Sequence, residues 1–537
     1  MNRKDTAPGE KLLAQQAYAL FAAYRSAYMR EWKRLENNER MYRGDHWYDV
    51  PQTDPHEPRP VTPVIQSTIE NVSADLMDQC PQALITPESG ADSHVARVVE
   101  AVIARNHDVS GYPLEYRKLV HDLLVGGYCV QEVGYDPSLN NGLGGAYIRS
   151  VDNRSILFDP LCDDMQEGRA VFKFSIRSRQ WIKERYPEKA PLIREDAYAC
   201  ADAPTDETLT ADRRDALLLL EYWWKTPPDK NGRSRVHMAL LCGGIVLEDS
   251  RRQKPEGYFA HGQYPFVLTP LYVRKGSCLG FGIVDLFEKQ QRYADKLDQI
   301  VLKNAFMASR NKLLVTQSSG FDEEDLKDWS KEVHRGESLN GITWFSTPPL
   351  PSYLLGYISR IREDIKEESG ANDSSRGNFR QGVTAASAIQ ALQEASTKRA
   401  RMATEQLHEA FRQAVRMEIE VEREFNFYLR PVTITENGES RECLFDSAQL
   451  LPTKERALPM EFFISVKAGR QNKFAAAAQN ELVLQLMQMG ALRPRQAVEL
   501  MLFEGKEQVL KIMDRDAGEA APVKKNRKIH ILSGGKS

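Results

Sequence analysis

Arg376 and Arg380 stand four residues apart in NDSSRGNFRQG (372–382), a stretch too polar and too rich in Gly and Asn to continue a helix. Asp373 is its only acid, so two guanidinium groups, with Asn378 between them, are free to contact phosphate whatever the base sequence. The alternative is structural: both arginines bridge Glu367, Glu368 or another copy of the chain. Lys289, Lys296 and Lys303 recur every seven residues and form a second cationic set on one side of a helix. They could make a ladder facing DNA, but Asp285, Glu288, Asp295 and Asp298 offset them within the same helix, and salt bridges between copies stand equally beside that reading. Asp322, Glu323, Glu324, Asp325 and Asp328 open a short helix, where the macrodipole favours carboxylates. The last seventeen residues, 521–537, hold five basic residues and no acid, so Lys524, Lys525, Arg527 and Lys528 form a tail open to polyanion.

Catalytic arrangements are weak by comparison. The ending SGGKS resembles the close of a phosphate-binding loop, yet His530 stands where the first glycine is needed and no helix follows. Asp159, Asp163 and Asp164 flank a proline turn, which turn chemistry explains without a metal. Ten histidines are dispersed with no HxxxH or Cys/His ligand spacing, so no metal or other cofactor is expected. His121, Asp122 and Cys129 invite a nucleophile reading, but they run from a helix into a strand without a recognisable signature.

The elements that must carry these residues are legible from periodicity. A helix is expected over 283–308, a strand, acidic helix (322–333) and strand over 309–346, and a second helix from 354 to 369. After the polar loop, Thr384 is a good N-cap, and no Gly or Pro interrupts the run to Arg430, about 65–70 Å if wholly helical. Upstream, a long amphipathic helix spans 11–40, and helices are expected at 64–77, 93–106, 114–124 and 179–186. Strands are expected at 83–86, 128–135, 146–151, 171–176, 217–224 and 236–247. Strands at 432–434 and 462–466 are expected to return to this first domain, and 472–513 to be helical, with Gly490 as a cap and Pro494 in a first turn.

The 537 residues carry 72 basic and 75 acidic side chains, so the net charge of -3 marks no nucleic-acid binder and excludes none. Seven scattered cysteines (Cys80, Cys129, Cys162, Cys200, Cys242, Cys278, Cys443) without CxxC fit reduced cytosolic thiols. The start MNRKDTAPGEK has no apolar signal core, and no stretch approaches 18 uncharged apolar residues, so neither secretion nor a membrane span is expected.

Four stretches, NERMYRGDHW (38–47), VDNRSILFDP (151–160), GFGIVDLFEKQQRYADKLDQ (280–299) and GVTAASAIQALQE (382–394), together with the order helix, insert, helix, loop, helix, resemble the portal proteins of tailed bacteriophages. The resemblance implies an α+β, ring-forming chain of usually twelve copies. Residues 1–275 would be a mixed αβ wing, 276–308 and 348–371 two stem helices, 309–347 a small αβ clip, and 372–383 a tunnel loop. Residues 384–430 would then be a long wing helix, 431–470 a β return to the wing, and 471–537 a helical crown with its basic tail. It further implies no catalytic site, a channel for double-stranded DNA in packaging and ejection, and a place at one capsid vertex of the virion after synthesis in the bacterial cytoplasm. The acidic insert would dock the terminase large subunit and then the tail adaptor protein; the major capsid and scaffold proteins would be further partners. A packaging ATPase or nuclease lacks its motifs here, and a helical adaptor or scaffold without a channel is the remaining rival.

Overall fold

Apolar residues at helical spacing form α1, Pro8–Tyr42, in a computed structural model that describes residues 8–513 apart from 79, 89–92, 194–215, 231, 310–311, 318–319, 328–332, 337–338, 346–347, 370–397, 427, 437–438, 453–458, 469–472, 502, 504, 507–508 and 511. Leu13, Ala17, Phe21, Tyr24 and Tyr28 are buried, whereas Leu12, at helical spacing, is exposed on the other side. Contacts divide the chain into two units, Met1–Val432 with Cys443–Lys467, and Thr433–Glu442 with Ala468–Ser537.

In the first unit α2 (Val64–Met77) begins directly after Pro63, where the fixed φ of proline suits entry into a helix. It is followed by β1 (Pro81–Pro87), α3 (Ser93–Ser110) and α4 (Tyr112–His121). The helix expected to run to 124 instead loosens into a π-helical turn, Asp122–Gly126, which ends at Gly127 with φ 88°. The hairpin β2 (Tyr128–Asp136) and β3 (Gly145–Val151) follows.

Five antiparallel strands make the larger sheet: β4 (Ile156–Leu157), β5 (Ala170–Ser178), β6 (Ala216–Lys225), β7 (Val236–Cys242) and β8 (Ile245–Asp249), in that spatial order. The single strand expected over 236–247 is in fact the β7–β8 hairpin: Gly243 and Gly244 both take positive φ, 53° and 81°, which only a turn of this kind requires. Helix α1 covers this sheet, with Phe21 and Tyr24 edge-on to Phe172 at 5.6 and 5.5 Å. The short α5 (Arg179–Arg185) starts at Ser178, whose hydroxyl accepts from Trp181 N. Strand β9 (Phe266–Pro270) returns to pair with β2, completing the three-stranded sheet β3-β2-β9.

The short pair β10 (Tyr272–Val273) and β11 (Gly280–Phe281) leads into α6 (Ile283–Ser309). A Cβ on Gly127 would lie 2.3 Å from the carbonyl carbon of Phe281, and one on Gly282 2.7 Å from Leu124 O. Glycine is therefore what lets the backbone entering α6 lie against the π-turn. Beyond α6 come β12 (Lys312–Val315), the five-residue α7 (Glu323–Lys327) and β13 (Ile342–Phe345), which pairs antiparallel with β12. The expected acidic helix reaches Lys327 in the structure, and 328–332 lie outside the described residues. Helix α8 (Tyr353–Ser369) packs back on α6, burying Ile358, Ile361 and Ile365.

Helix α9 is described over Lys398–Phe425 and ends five residues before the expected Arg430. Asn426 ends it: its side-chain oxygen accepts from Tyr428 N, a local bond that competes with the helical ladder. Strand β14 (Arg430–Glu436) pairs with β15 (Glu439–Phe445), which its charged sequence ESRECLF conceals. Strand β16 (Phe462–Ala468) does return, to β1. In the second unit, α10 (Lys473–Gln488) closes at Gly490, φ 74°, with Ala491 N donating to Leu486 O, and α11 begins at Pro494 and runs to Leu500.

Candidate functional site

The α6 helix carries the densest set of sequence-selected charges, and the structure sorts them by face. Asp285 pairs with Arg34 at 2.5 Å, Glu288 with Arg292 at 3.0 Å, Asp295 with His46 at 2.5 Å, and Asp298 with Arg362. The expectation that these acids offset the lysines is therefore corrected: each carboxylate is committed to a partner other than the lysines. Lys289, Lys296 and Lys303 are exposed; Lys303 lies 3.7 Å from Glu57, and neither of the others has an ion-pair partner among the described residues.

Behind that outer face, α6 is held by groups that periodicity did not reveal. Gln291 is fully buried; its side-chain oxygen accepts from Val64 N and Ile65 N, capping α2, while its amide donates to Thr62 O at 2.7 Å and Asp295 Oδ1 at 3.0 Å. His46 Nε2 faces Met41 O at 3.1 Å and Nδ1 faces Asp295 Oδ2. A carbonyl only accepts, so Nε2 carries a hydrogen, and a proton must also lie between Nδ1 and the carboxylate. Arg34 donates to Glu31, to Asp285 and to Gly126 O at 2.8 Å, tying α1, the π-turn and the start of α6 together.

A signal for these anchors was present in three of the four motif stretches. In NERMYRGDHW, Asn38 donates to Val125 O, His46 holds Asp295, and Trp47 donates to Pro60 O. In VDNRSILFDP, Asn153 donates to Tyr128 O at 2.6 Å. The third stretch is the glycine-lined entry to α6, and the fourth, 382–394, lies outside the described residues.

Within the small insert, Asp322 accepts from Glu324 N at 3.1 Å and so starts α7, and Asp325 lies 3.4 Å from His334. Glu323 and Glu324 are on α7; Asp328 lies outside the described residues. Arg376, Asn378, Arg380, Lys524, Lys525, Arg527 and Lys528 also lie outside them.

The weaker catalytic arrangements resolve into structural roles. Cys129 is completely buried and its thiol is pushed well up by that burial, the reverse of a nucleophile's environment. His121 is bonded to Glu39 at 3.1 Å, which raises the imidazole and lowers the carboxyl. Asp122 is raised to about 7 by burial and then by nearby Asp152. Asp159 accepts from Leu161 N in a local turn and from Arg169 N across the loop, and Asp164 accepts from Gln166 N as a helix cap.

A second buried polar group fixes α9. Glu422 accepts from Ala146 N at 2.8 Å and Asn106 at 2.6 Å and pairs with Arg430, while Glu418 meets His107 at 2.8 Å. Burial raises the Glu422 carboxyl although Arg430 opposes the shift. No helix among the described residues is long and apolar enough to cross a membrane. The arrangement positions helices and presents lysines; its buried ionisable groups are occupied with one another. Residues 19–528 match a family model described as Phage P22-like portal protein. No curated protein matches the chain.

Proposed function

The chain belongs to the phage P22-like portal protein family, a structural component of the virion head-to-tail connector, and from that premise we propose that it forms a ring whose lumen conducts double-stranded DNA in packaging and ejection. The observation that carries this reading is the out-and-back course of α6 and α8 around the β12-α7-β13 insert, with Asp285, Asp295 and Asp298 committed to partners outside α6 and the α6 lysines left outward. In this reading α6 and α8 are the stem, the insert is a clip that docks terminase and later the tail adaptor, and Arg376, Asn378 and Arg380 line the channel at the loop between α8 and α9. The wing meets capsid and scaffold proteins. The Lys524–Lys528 tail meets polyanion.

Sliding DNA requires weak, exchangeable phosphate contacts, so the loop arginines act on transport and not on folding. Arg376→Ala with Arg380→Ala leaves rings and melting temperature unchanged, reduces packaging or DNA retention, and gives a shallower salt dependence. Normal packaging by intact double-mutant rings would remove the loop's role. A falling melting temperature or broken rings would instead identify the arginines as bridges to Glu367, Glu368 or a neighbouring copy.

A further inference from the structure

Just beyond the end of α9, parts of the first unit that are distant in sequence enclose a small cavity. Helix α3 supplies Val102 and Arg105, the loop between β2 and β3 supplies Asn140 and Leu143, and β14 begins there with Arg430 and Pro431. The volume is 30 Å³. That is room for about one or two water-sized bodies and for no organic ligand.

Arg430 is only 4% exposed, and most of its guanidinium is used. Nη1 donates to Asn106 Oδ1 at 3.3 Å and to Gly144 O at 3.2 Å, and Nη2 pairs with Glu422. Its Nε is buried and has no partner among the described residues. A buried N–H left unpaired is costly, so a wall of this kind favours an occupant that accepts from it. Arg105 is exposed at the mouth; its Nε donates to Asn140 Oδ1 at 3.2 Å, and it has no ion-pair partner among the described residues. Asn140 is itself fixed, with Nδ2 donating to Asn106 Oδ1 at 3.2 Å and to Gly144 O at 3.0 Å.

These groups select the sign of the occupant. A water molecule donates as well as accepts, yet Asn140 Oδ1 is the one side-chain acceptor on the wall and Arg105 Nε already takes it. Glu422 neutralises Arg430, which leaves the Arg105 charge uncompensated. The rest of the wall, with Val102, Leu143 and Pro431, is apolar and suits a weakly hydrated ion. Donors without a free acceptor, one net positive charge and a monatomic volume together describe a halide site.

We propose that this cavity binds a monatomic anion, chloride, between Arg430 Nε–H and the Arg105 guanidinium. The ion ties the first residues of β14 to α3 and to the loop after β2, and so secures the chain where α9 hands over to the strand. Nothing in this depends on ring formation.

The test melts full-length protein at constant sodium and ionic strength while gluconate is exchanged for chloride, and examines bromide-soaked crystals by anomalous diffraction. The melting temperature rises with the logarithm of chloride concentration once the site fills, bromide reproduces the rise, and an anomalous peak lies in contact with Arg430 Nε. Arg105→Gln, a change at an exposed side chain, keeps the fold and flattens that dependence. The same chloride slope in Arg105→Gln would identify a general salt effect and overturn the proposal. An anomalous peak without chloride-dependent melting would mean binding at crystal concentration only, and flat melts with water alone in the cavity would mean a hydration site; either overturns it. Sulfate or phosphate that stabilises the parent more than chloride, and loses that effect in Arg105→Gln, would overturn the monatomic assignment.

Discussion

His46 and Asp295 lie 249 residues apart in the chain and 2.5 Å apart in space, both nearly inaccessible to solvent. Through that contact the turn after α1 holds the middle of α6. Removing one partner of a buried hydrogen bond leaves the other unsatisfied, at about 1–3 kcal/mol. Asp295→Ala is expected to lose that much in denaturant unfolding, with His46, Gln291 and Thr62 N all losing a partner. Lys296→Ala, on the exposed face of the same helix, should change stability by no more than about 0.5 kcal/mol.

Gly127→Ala is expected to be among the most damaging single-methyl changes in the chain. Its φ of 88° disfavours any side chain, and the added carbon would meet main-chain atoms of Phe281 and Gly282 at 2.3 and 2.4 Å, neither of which can swing aside. The expected result is loss of soluble protein or a large fall in melting temperature. Gly142→Ala, also at positive φ (90°) but facing open space, should show only the smaller backbone cost.

Asp122 gives a pH signature. Its folded-state value is raised to about 7, so its contribution to stability is fully present below the ordinary carboxylate range and is lost as pH climbs toward neutrality. Asp122→Asn should therefore melt higher than the parent at pH 8, by on the order of 2 kcal/mol after discounting for partial solvent access, with the difference vanishing near pH 4. Equal curves for the two proteins across pH 4–8 would contradict this.

Arg430→Ala strips the buried Glu422 carboxylate of its cation while Asn106 and Ala146 N still hold it in place. A loss of about 3–5 kcal/mol is expected. Glu422→Gln with Arg430→Met should recover most of it, because neither charge then remains buried. Chemical denaturation of the three proteins provides the comparison.

Much of the helical frame was legible because burial follows a local period. Residues 64–77 read correctly to the residue, since Pro63 marks the start and Val64, Ile65, Ile69, Val72 and Leu76 mark one face. Where a local bond overrides propensity, sequence reasoning overran: Asn426 stops α9, and Gly243-Gly244 folds an unbroken apolar run into a hairpin. The lysine row was visible for the same reason as the helices. Its surroundings were not, because the partners of Asp285, Asp295 and Asp298 are Arg34, His46 and Arg362, and only tertiary packing brings them together.

Strand β1 finds its sheet partner, β16, late in the chain: Thr86 donates to the carbonyl of Phe463, 377 residues downstream, and Ser465 to that of Leu84. On a ribosome adding about 5–20 residues per second, β1 would wait roughly 20–75 s with that edge unpaired. During that interval its backbone is a template for any other extended chain, including nascent copies on the same messenger. Chains released before residue 462 keep the open edge permanently, so premature termination yields aggregation-prone fragments and not merely shorter subunits.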